Sequence, residues 1–316
     1  MNIVVTGAGG FVGSHLAERL VKEGHDVKGV SLDYPDGGRP DYEFLLLDLR
    51  EKDACAFAVR RAERVYHAAA DMGGIGYITK DHARIAHNNA LIDLNMLRAA
   101  SEAGVKRFWY AGAACVYPSF KQAQPDIPPL KETDDIPADP EPGYGWAKLF
   151  GEQMCRYYGE ETRMQTRITR FFNVYGPGAA FDGNREKALM ALCRKVALAK
   201  DGDEIEVWGD GQQVRDFTYV TDAMDAVIRV MESEIRTPVN VGNSSPITIS
   251  ALVGLLAKIA GKEIRTRFDL SKPQGVRGRV ADGTLLRSLG WAPQVSLEEG
   301  VRHSYEWVRN EMGVAV

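Results

Sequence analysis

Residues 2–33 read NIVVTGAGGFVGSHLAERLVKEGHDVKGVSLD, and no other stretch narrows the fold as much. A β-branched run from Ile3 to Val5 enters a glycine turn. An amphipathic helix follows with Phe11, Leu16 and Leu20 on its apolar side, and a second β-rich run ends at Asp33. That is a β-α-β unit. Glycines at 7, 10 and 13 put no side chain between the backbone and a pyrophosphate at the helix N-terminus. A plain tight turn also uses glycine, but strand, spacing and acid together favour a dinucleotide site. The expected contacts are Gly7, Gly10, Phe11, Val12 and Gly13, with Asp33 accepting hydrogen bonds from both adenosine ribose hydroxyls. A carboxylate there repels a 2′-phosphate, so the expected cofactor is NAD rather than NADP.

Further units repeat the pattern. LLLDLR supplies a strand whose end, Asp48 and Leu49, is expected to flank the adenine, unless Asp48 merely caps the next helix. Val65 to Ala68 and Arg107 to Ala111 read as strands, and Arg84 to Ala103 as a helix. Repeated βα pairs predict an α/β fold, a doubly wound parallel sheet with ligands at the carboxyl ends of its strands. HAAADMGGIG and YAGAACVYP both lie at such ends, which makes Ala68 and Ala70 candidate cofactor contacts. Past Asn173 the rhythm breaks up. The expected division is a cofactor-binding domain over 1–172, taking back about 217–243, and a smaller α/β substrate-binding lobe over 173–316.

Composition bounds the partners. Hydrophobic content of 45% with 26% charged residues fits a soluble globular protein, and a net charge of −4 speaks against general nucleic-acid binding. Cys55, Cys115, Cys155 and Cys193 are scattered, with neither a disulfide pattern nor metal-ligand spacing, so no metal is expected. No apolar run approaches the roughly 18 residues of a membrane span. With no targeting segment read at the N-terminus, a reducing, cytoplasmic compartment is expected.

GYGWAKLFGEQMCRYYG sets Tyr144 and Lys148 four apart, on one helix face. A free tyrosine titrates near pH 10, but a neighbouring ammonium and a positive nicotinamide ring favour its phenolate. Tyr144 is then fit to take the proton of a sugar alcohol while hydride leaves to NAD. By its residues alone Cys115 reads first as a small buried hydrophobe, and Lys187 as a solvated surface charge.

With these residues in hand, the chain resembles the extended short-chain dehydrogenase/reductases, the family of nucleotide-sugar epimerases and dehydratases. RFFNVYGPG, VWGDGQQVRDFTYVTD and GNSSPITI resemble its landmarks, and the likeness runs from Asn2 to about Trp307. AADMGGIGYI, AACVYPSFK, GNREKALMALCRK and QGVRGRVADG resemble its GDP-mannose 3,5-epimerase branch. The resemblance implies a Rossmann-type fold, retained NAD, a GDP-sugar substrate, and a homodimer through the helices Arg84 to Ala103 and Tyr144 to Tyr158. It also implies that Cys115 and Lys187 are an acid–base pair that inverts C3 and C5 beside a transient C4 ketone. A thiol near positive charge falls from its usual value of about 8.5, so Cys115 is the expected base and Lys187 the expected acid. Where the dehydratase branch carries Thr, Asp and Glu, this chain has Ala113, Ala114 and Cys115, which removes the groups for elimination. Ala113 also stands where the family usually has a Ser or Thr bonded to the C4 oxygen.

The substrate end rests on cations. REKALMALCRK reads as a helical stretch gathering Arg185, Lys187, Arg194 and Lys195, and with Arg215, Arg277 and Arg279 it suits a diphosphate. By resemblance Asn173 contacts the sugar or diphosphate, and Met72, Gly73 and Gly74 allow close approach of the hexose. By resemblance Trp208 and Gly209 form part of the nucleoside pocket, although Trp208 reads equally as a core aromatic, and Ala113, Ala114 and Glu186 complete the substrate contacts. The stretch QPDIPPLKETDDIPADPEPG reads as a flap over the site or as a plain connection. Two other readings stay open: a nucleotide-hexose 4-epimerase or 4-keto reductase in which Cys115 is passive, and a binding protein whose turnover was lost with the hydroxyl at Ala113.

Overall fold

A computed structural model describes residues 1–183 and 185–314; Asn184, within the GNREKALMALCRK stretch, lies outside the described residues. The first half alternates as the sequence predicts, through β1 (Asn2–Thr6), α1 (Phe11–Lys22), β2 (Asp26–Ser31), β3 (Glu43–Leu46), α2 (Lys52–Ala58) and β4 (Arg64–His67). It continues with α3 (Ile75–Ile78), α4 (His82–Glu102), β5 (Arg107–Ala113), α5 (Tyr144–Glu161) and β6 (Gln165–Phe171). The second half runs β7 (Val174–Tyr175), α6 (Ala188–Leu198), β8 (Glu204–Trp208), β9 (Val214–Asp216), β10 (Thr218–Tyr219), α7 (Val220–Glu232) and β11 (Val239–Val241). It ends in β12 (Pro246–Thr248), α8 (Ile249–Ala260), β13 (Arg265–Asp269), β14 (Gly278–Arg279), α9 (Thr284–Ser288) and α10 (Leu297–Glu311).

Seven strands form one parallel sheet in the order β11-β6-β5-β4-β1-β2-β3. The order turns back between β1 and β4, which opens a crevice at their carboxyl ends. Both faces of the sheet are covered. Ile3 and Val5 of β1 pack with Leu16 and Leu20 of α1 and Val227 of α7, while Val4 joins Val65, Met96 and Phe108 on the other face. Such strands need no polar side, hence their unbroken apolar runs. β11 returns to the sheet beside β6, pairing Val239 with Thr169. A second core holds Leu189, Cys193 and Val196 of α6, Ile205 and Val207 of β8, Leu252 of α8, and Val301 of α10. The hydroxyls of Thr248 and Ser296 cap α8 and α10, each accepting from an amide three residues on.

One expectation needs correction, and one open reading is narrowed. α6 begins at Ala188, so Arg185 and Lys187 lie on a strap before it, Arg185 at a bend and Lys187 extended with φ −100° and ψ 158°. The strap is drawn off the helix by its own contacts, since the Gly74 N–H donates to the Arg185 carbonyl at 3.2 Å. The four cations therefore make no single patch: Arg194 donates to Phe181 O and Glu186, and Lys195 to Glu206 O. The acid- and proline-rich stretch is a fastened connection rather than a flap. Its Leu130 N–H donates to Val280 O at 2.8 Å, and buried Arg170 holds Glu132 O and the Asp135 carboxylate.

Candidate active site

At the cofactor end, the glycine turn is wedged between neighbours that leave no room for a side chain. A Cβ on Gly13 would stand 2.1 Å from Gly7 O, and one on Gly7, at φ +67°, 2.8 Å from Ala69 N. Gly9, which the motif reading passed over, presses on the Asp33 carbonyl, where a Cβ would come to 2.0 Å. α1 starts at Phe11 with no side-chain cap, so its first-turn amides, those of Phe11, Val12 and Gly13, are left for an anion. The exposed Asp33 carboxyl stands at the end of the second strand, and Ala68 is tied to Thr6 O at 3.3 Å across the crevice. Ala70 follows, partly exposed. These residues fit a dinucleotide. Asp48 is ion-paired with Arg50, whose hydrogen bonds hold its carboxyl below the usual range, and it does not cap α2, whose N-cap is Glu51. Leu49 is buried against Cys55 and faces the core.

Tyr144 opens α5 after Gly143, whose φ of +72° brings the turn against His82. One helical turn on, Lys148 is buried, with Nζ 4.5 Å above the Tyr110 ring and 4.0 Å from Asp93 Oδ2. Asp93 accepts from Tyr110 O–H at 2.5 Å and pairs with His67 Nε2 at 3.0 Å, and His67 Nδ1 meets Thr6 Oγ1 at 2.8 Å. With Nε2–H donating to the carboxylate, Nδ1 accepts from the threonine hydroxyl. Burial pushes Asp93 up, but Lys148, His67 and Tyr110 outweigh it and hold the carboxyl below its ordinary value. Burial in turn pushes His67 down. Burial, then Cys115, Asp93 and Glu141, push Tyr144 well above the ordinary phenol. The lowering expected from Lys148 is therefore not supplied by the protein, because that ammonium is turned toward Asp93.

Cys115, Tyr144, Ala113 and Met72 pack in one cluster with Ile75 and Tyr77. Arg279 reaches this corner, Nη1 lying 3.5 Å from Cys115 Sγ while Nε donates to Gln122 Oε1 at 2.7 Å. Glu141 joins from the other side, its N–H donating to Cys115 O at 3.0 Å. Burial and then the Glu141 charge push the Cys115 thiol up to about 12, against the pull of Arg279. Burial pushes Lys187 down, with Cys115 opposing. The lowering expected for the cysteine is not found: desolvation outweighs the nearby cations at Cys115, and burial disfavours the Lys187 ammonium.

The remaining substrate candidates divide. Arg215 stays in the corner, its guanidinium pushed down to about 9 by burial and by Arg279. Arg277 is instead committed to Asp210 through two hydrogen bonds of 2.9 Å. Asn173, at φ +40°, donates its amide to Asp216 O at 2.8 Å. Ala114 packs with Val116, Tyr117 and Phe172 in a buried cluster away from Cys115. Gly73 and Gly74 have packing reasons of their own, since a Cβ on Gly74 would stand 1.9 Å from Glu186 O and one on Gly73 2.8 Å from the Tyr77 Cβ. Glu186 is held by Arg194, and burial pushes Lys195 down. The Trp208 ring lies over Gly76, and Gly209 turns at φ +81°. His67, Asp93, Gln122 and Glu141 were missed in the sequence. Asp93 left one sign, a carboxylate on the buried side of α4, four residues after Asn89.

Residues 3–242 match the family model described as the NAD dependent epimerase/dehydratase family. The chain belongs to that family. Members of it work with NAD, in keeping with the glycine cradle and Asp33. GDP-mannose 3,5-epimerase 1 of Oryza sativa subsp. indica is 40% identical over 316 residues, covering 99% of this chain and 82% of its own. Among solved structures, UDP-glucose 4-epimerase of Thermotoga maritima with UDP-glucose has a TM-score of 0.88 at 28% identity, over 99% of this chain and 100% of that one. The Thermus thermophilus UDP-glucose 4-epimerase complex with NAD has a TM-score of 0.86 at 26% identity, over 98% and 99%. Among the described residues, no helix is long and apolar enough to cross a membrane, and no group of His, Cys, Asp and Glu could hold a metal ion.

Proposed function

We propose that this NAD-dependent enzyme is a GDP-mannose 3,5-epimerase, turning GDP-D-mannose into GDP-L-galactose, GDP-L-gulose or both. The observation that carries the reading is a Cys115 thiol packed beside Tyr144 and pushed up by burial, with the Lys187 amine close enough to feel its charge and pushed down by burial. A 4-epimerase has no use for such a pair, because it breaks no carbon–hydrogen bond at C3 or C5.

NAD, held by the turn from Gly7 to Gly13 and by Asp33, supplies reversible oxidation at sugar C4. Tyr144 takes the proton from the C4 hydroxyl and later gives it back, its phenolate favoured by the positive ring of bound NAD rather than by Lys148. A ketone at C4 acidifies the hydrogens on C3 and C5. Lys187, whose ammonium burial disfavours, removes such a proton, and the Cys115 thiol donates one from the opposite face. The ammonium and thiolate that remain stabilise each other, with Arg279 beside the sulfur. Return of one proton from Lys187 to Cys115 resets the pair for the other carbon. Arg215 and Arg279, which repel one another, suit the diphosphate, whose charge relieves that repulsion.

A homodimer is part of the proposal: Trp146, Phe150 and Tyr157 stand exposed along α5, which packs against α4, and a second copy would cover them. A cytoplasmic location is proposed too, on four free cysteines that suit a reducing compartment.

The test is proton NMR of GDP-mannose with protein and NAD in D2O. Deuterium at both C3 and C5 with new L-sugar signals is expected. Exchange at C5 alone narrows the product to the gulose form, and no exchange at either carbon overturns the proposal in favour of a 4-epimerase or reductase.

A further inference from the structure

Taking the epimerase reading as its basis, we propose that Arg185 is a positioning residue, a latch that holds the strap 185–187 on the sheet's crevice and so fixes Lys187 opposite Cys115. Arg185 is an exposed arginine beside the pocket, yet both terminal nitrogens of its guanidinium are occupied by the loop that follows β4. Nη1 donates to Met72 O at 2.6 Å, and Nη2 to Tyr77 Oη at 3.0 Å, 3.4 Å from Asp71 Oδ1. Its Cζ stands 4.4 Å from the centre of the Tyr77 ring, which adds a cation–π contact.

The receiving loop is itself rigidly held. The Asp71 carboxylate accepts from Tyr77 O–H at 2.5 Å, Arg84 at 2.8 Å and Asn88 at 2.8 Å. Its backbone exchanges two bonds with the Asn89 amide, at 3.0 and 2.9 Å, so the anchor is fixed to α4. Arg185 lies at a bend and Lys187 is extended, at φ −100° and ψ 158°. The Arg185 guanidinium reaches the segment after β4 and the Lys187 amine feels the Cys115 charge, while Glu186 turns away to Arg194 at 3.0 Å. Gly74 fits directly beneath, its N–H bonded to the Arg185 carbonyl. One residue, Glu186, separates the latch from the reacting amine's residue, so a shift at Arg185 passes to Lys187 almost undiminished.

Met72 and Tyr77 pack in the Tyr144 cluster, but the bonds of Arg185 end on Met72, Tyr77 and Asp71 and none reaches Tyr144, which serves the C4 oxidation from another element. The latch therefore predicts a split between two steps of one cycle. Arg185→Met keeps the aliphatic stem and removes the guanidinium; Arg185→Lys keeps the charge and loses the fork. Two measurements apply: amide hydrogen exchange of peptides covering 72–79 and 185–191, and, in single turnovers with GDP-mannose in D2O, absorbance at the NADH band against deuterium entry at C5. In Arg185→Met both peptides should exchange faster, and deuterium entry should slow by roughly tenfold or more with oxidation changed by less than about twofold, since a misplacement near 1 Å can cost a hundredfold. Arg185→Lys should fall between. Unchanged amide exchange overturns the latch. Faster amide exchange with undiminished deuterium entry, or an equal loss in oxidation, overturns the positioning role. If the native protein itself shows no carbon exchange, the epimerase reading fails and with it the role for Lys187, while amide exchange still decides whether Arg185 fastens the strap.

Discussion

The Arg279 guanidinium points at the Cys115 thiol, Nη1 to Sγ 3.5 Å, and opposes the burial that pushes that thiol up to about 12. Arg279→Gln should push it further up, so that less thiolate is present at any given pH. Alkylation of Cys115 by iodoacetamide, followed by peptide mass spectrometry at pH 8, should slow by roughly tenfold for every pH unit by which the thiol's titration moves up. The other cysteines are fully buried and serve as internal controls. Unchanged or faster labelling would mean that Arg279 does not govern the sulfur.

Ala113 ends β5 in the same cluster as Tyr144 and Cys115, and it carries no hydroxyl. Ala113→Ser restores a donor for the C4 oxygen at a place where the backbone already runs extended, φ −146° and ψ 150°. One such bond is worth about 1–3 kcal/mol, so turnover should rise roughly ten- to a hundredfold, seen as faster loss of GDP-mannose with little change in KM. Equal or lower turnover would show that another group does this work.

What the sequence showed and what it hid follow from the range of the interactions. The glycine turn, Asp33, and the Tyr144–Lys148 pair are local patterns, legible because helix and strand periods place neighbours without knowledge of the fold. Cys115 and Lys187 are distant in the chain and became a pair only through family likeness. The assignment of charge to them failed because desolvation depends on packing that no spacing reveals. Arg277 and Arg279 look alike in GVRGR, but Arg277 meets Asp210 while Arg279 meets Gln122, and only the folded chain brings those partners close. Lys187 misled differently: REKALMALCRK has helical composition throughout, yet tertiary bonds to Gly74 and Tyr77 hold its first residues out of the helix.

Gly13 tests the cofactor cradle. A Cβ there would stand 2.1 Å from Gly7 O and 2.9 Å from Ala8 N, both backbone atoms that cannot swing aside. Gly13→Ala must therefore spread the turn and pull the first amides of α1 out of line. NAD affinity by titration calorimetry should drop by at least about tenfold, or roughly 1.4 kcal/mol. Gly104→Ala, in open space away from the turn, controls for general glycine strain at φ +73°. Equal affinity in Gly13→Ala would separate the cradle from NAD binding.

His67 should leave its mark on acid stability. The ring is fully buried between Thr6 and Asp93, and burial lowers its folded pKa below the unfolded value near 6.5. A depressed histidine is held neutral by the fold, so the unfolded chain binds a proton that the folded chain refuses. Its contribution is complete above pH ~6.5 and declines as pH falls from there toward the folded pKa, by up to about 1.4 kcal/mol per pH unit. Asp93, whose folded pKa is also lowered, loses its own contribution only below the unfolded carboxylate value near 3.9, so the window from pH ~6.5 to ~5 belongs to the histidine within this pair. His67→Gln keeps a donor for Asp93 and cannot titrate. Urea midpoints measured across that window should fall with pH in the native protein and fall less steeply in the variant. Parallel lines would mean that His67 takes up its proton in the folded state as readily as in the unfolded one, and the neutral bridge from Thr6 to Asp93 would have to be abandoned.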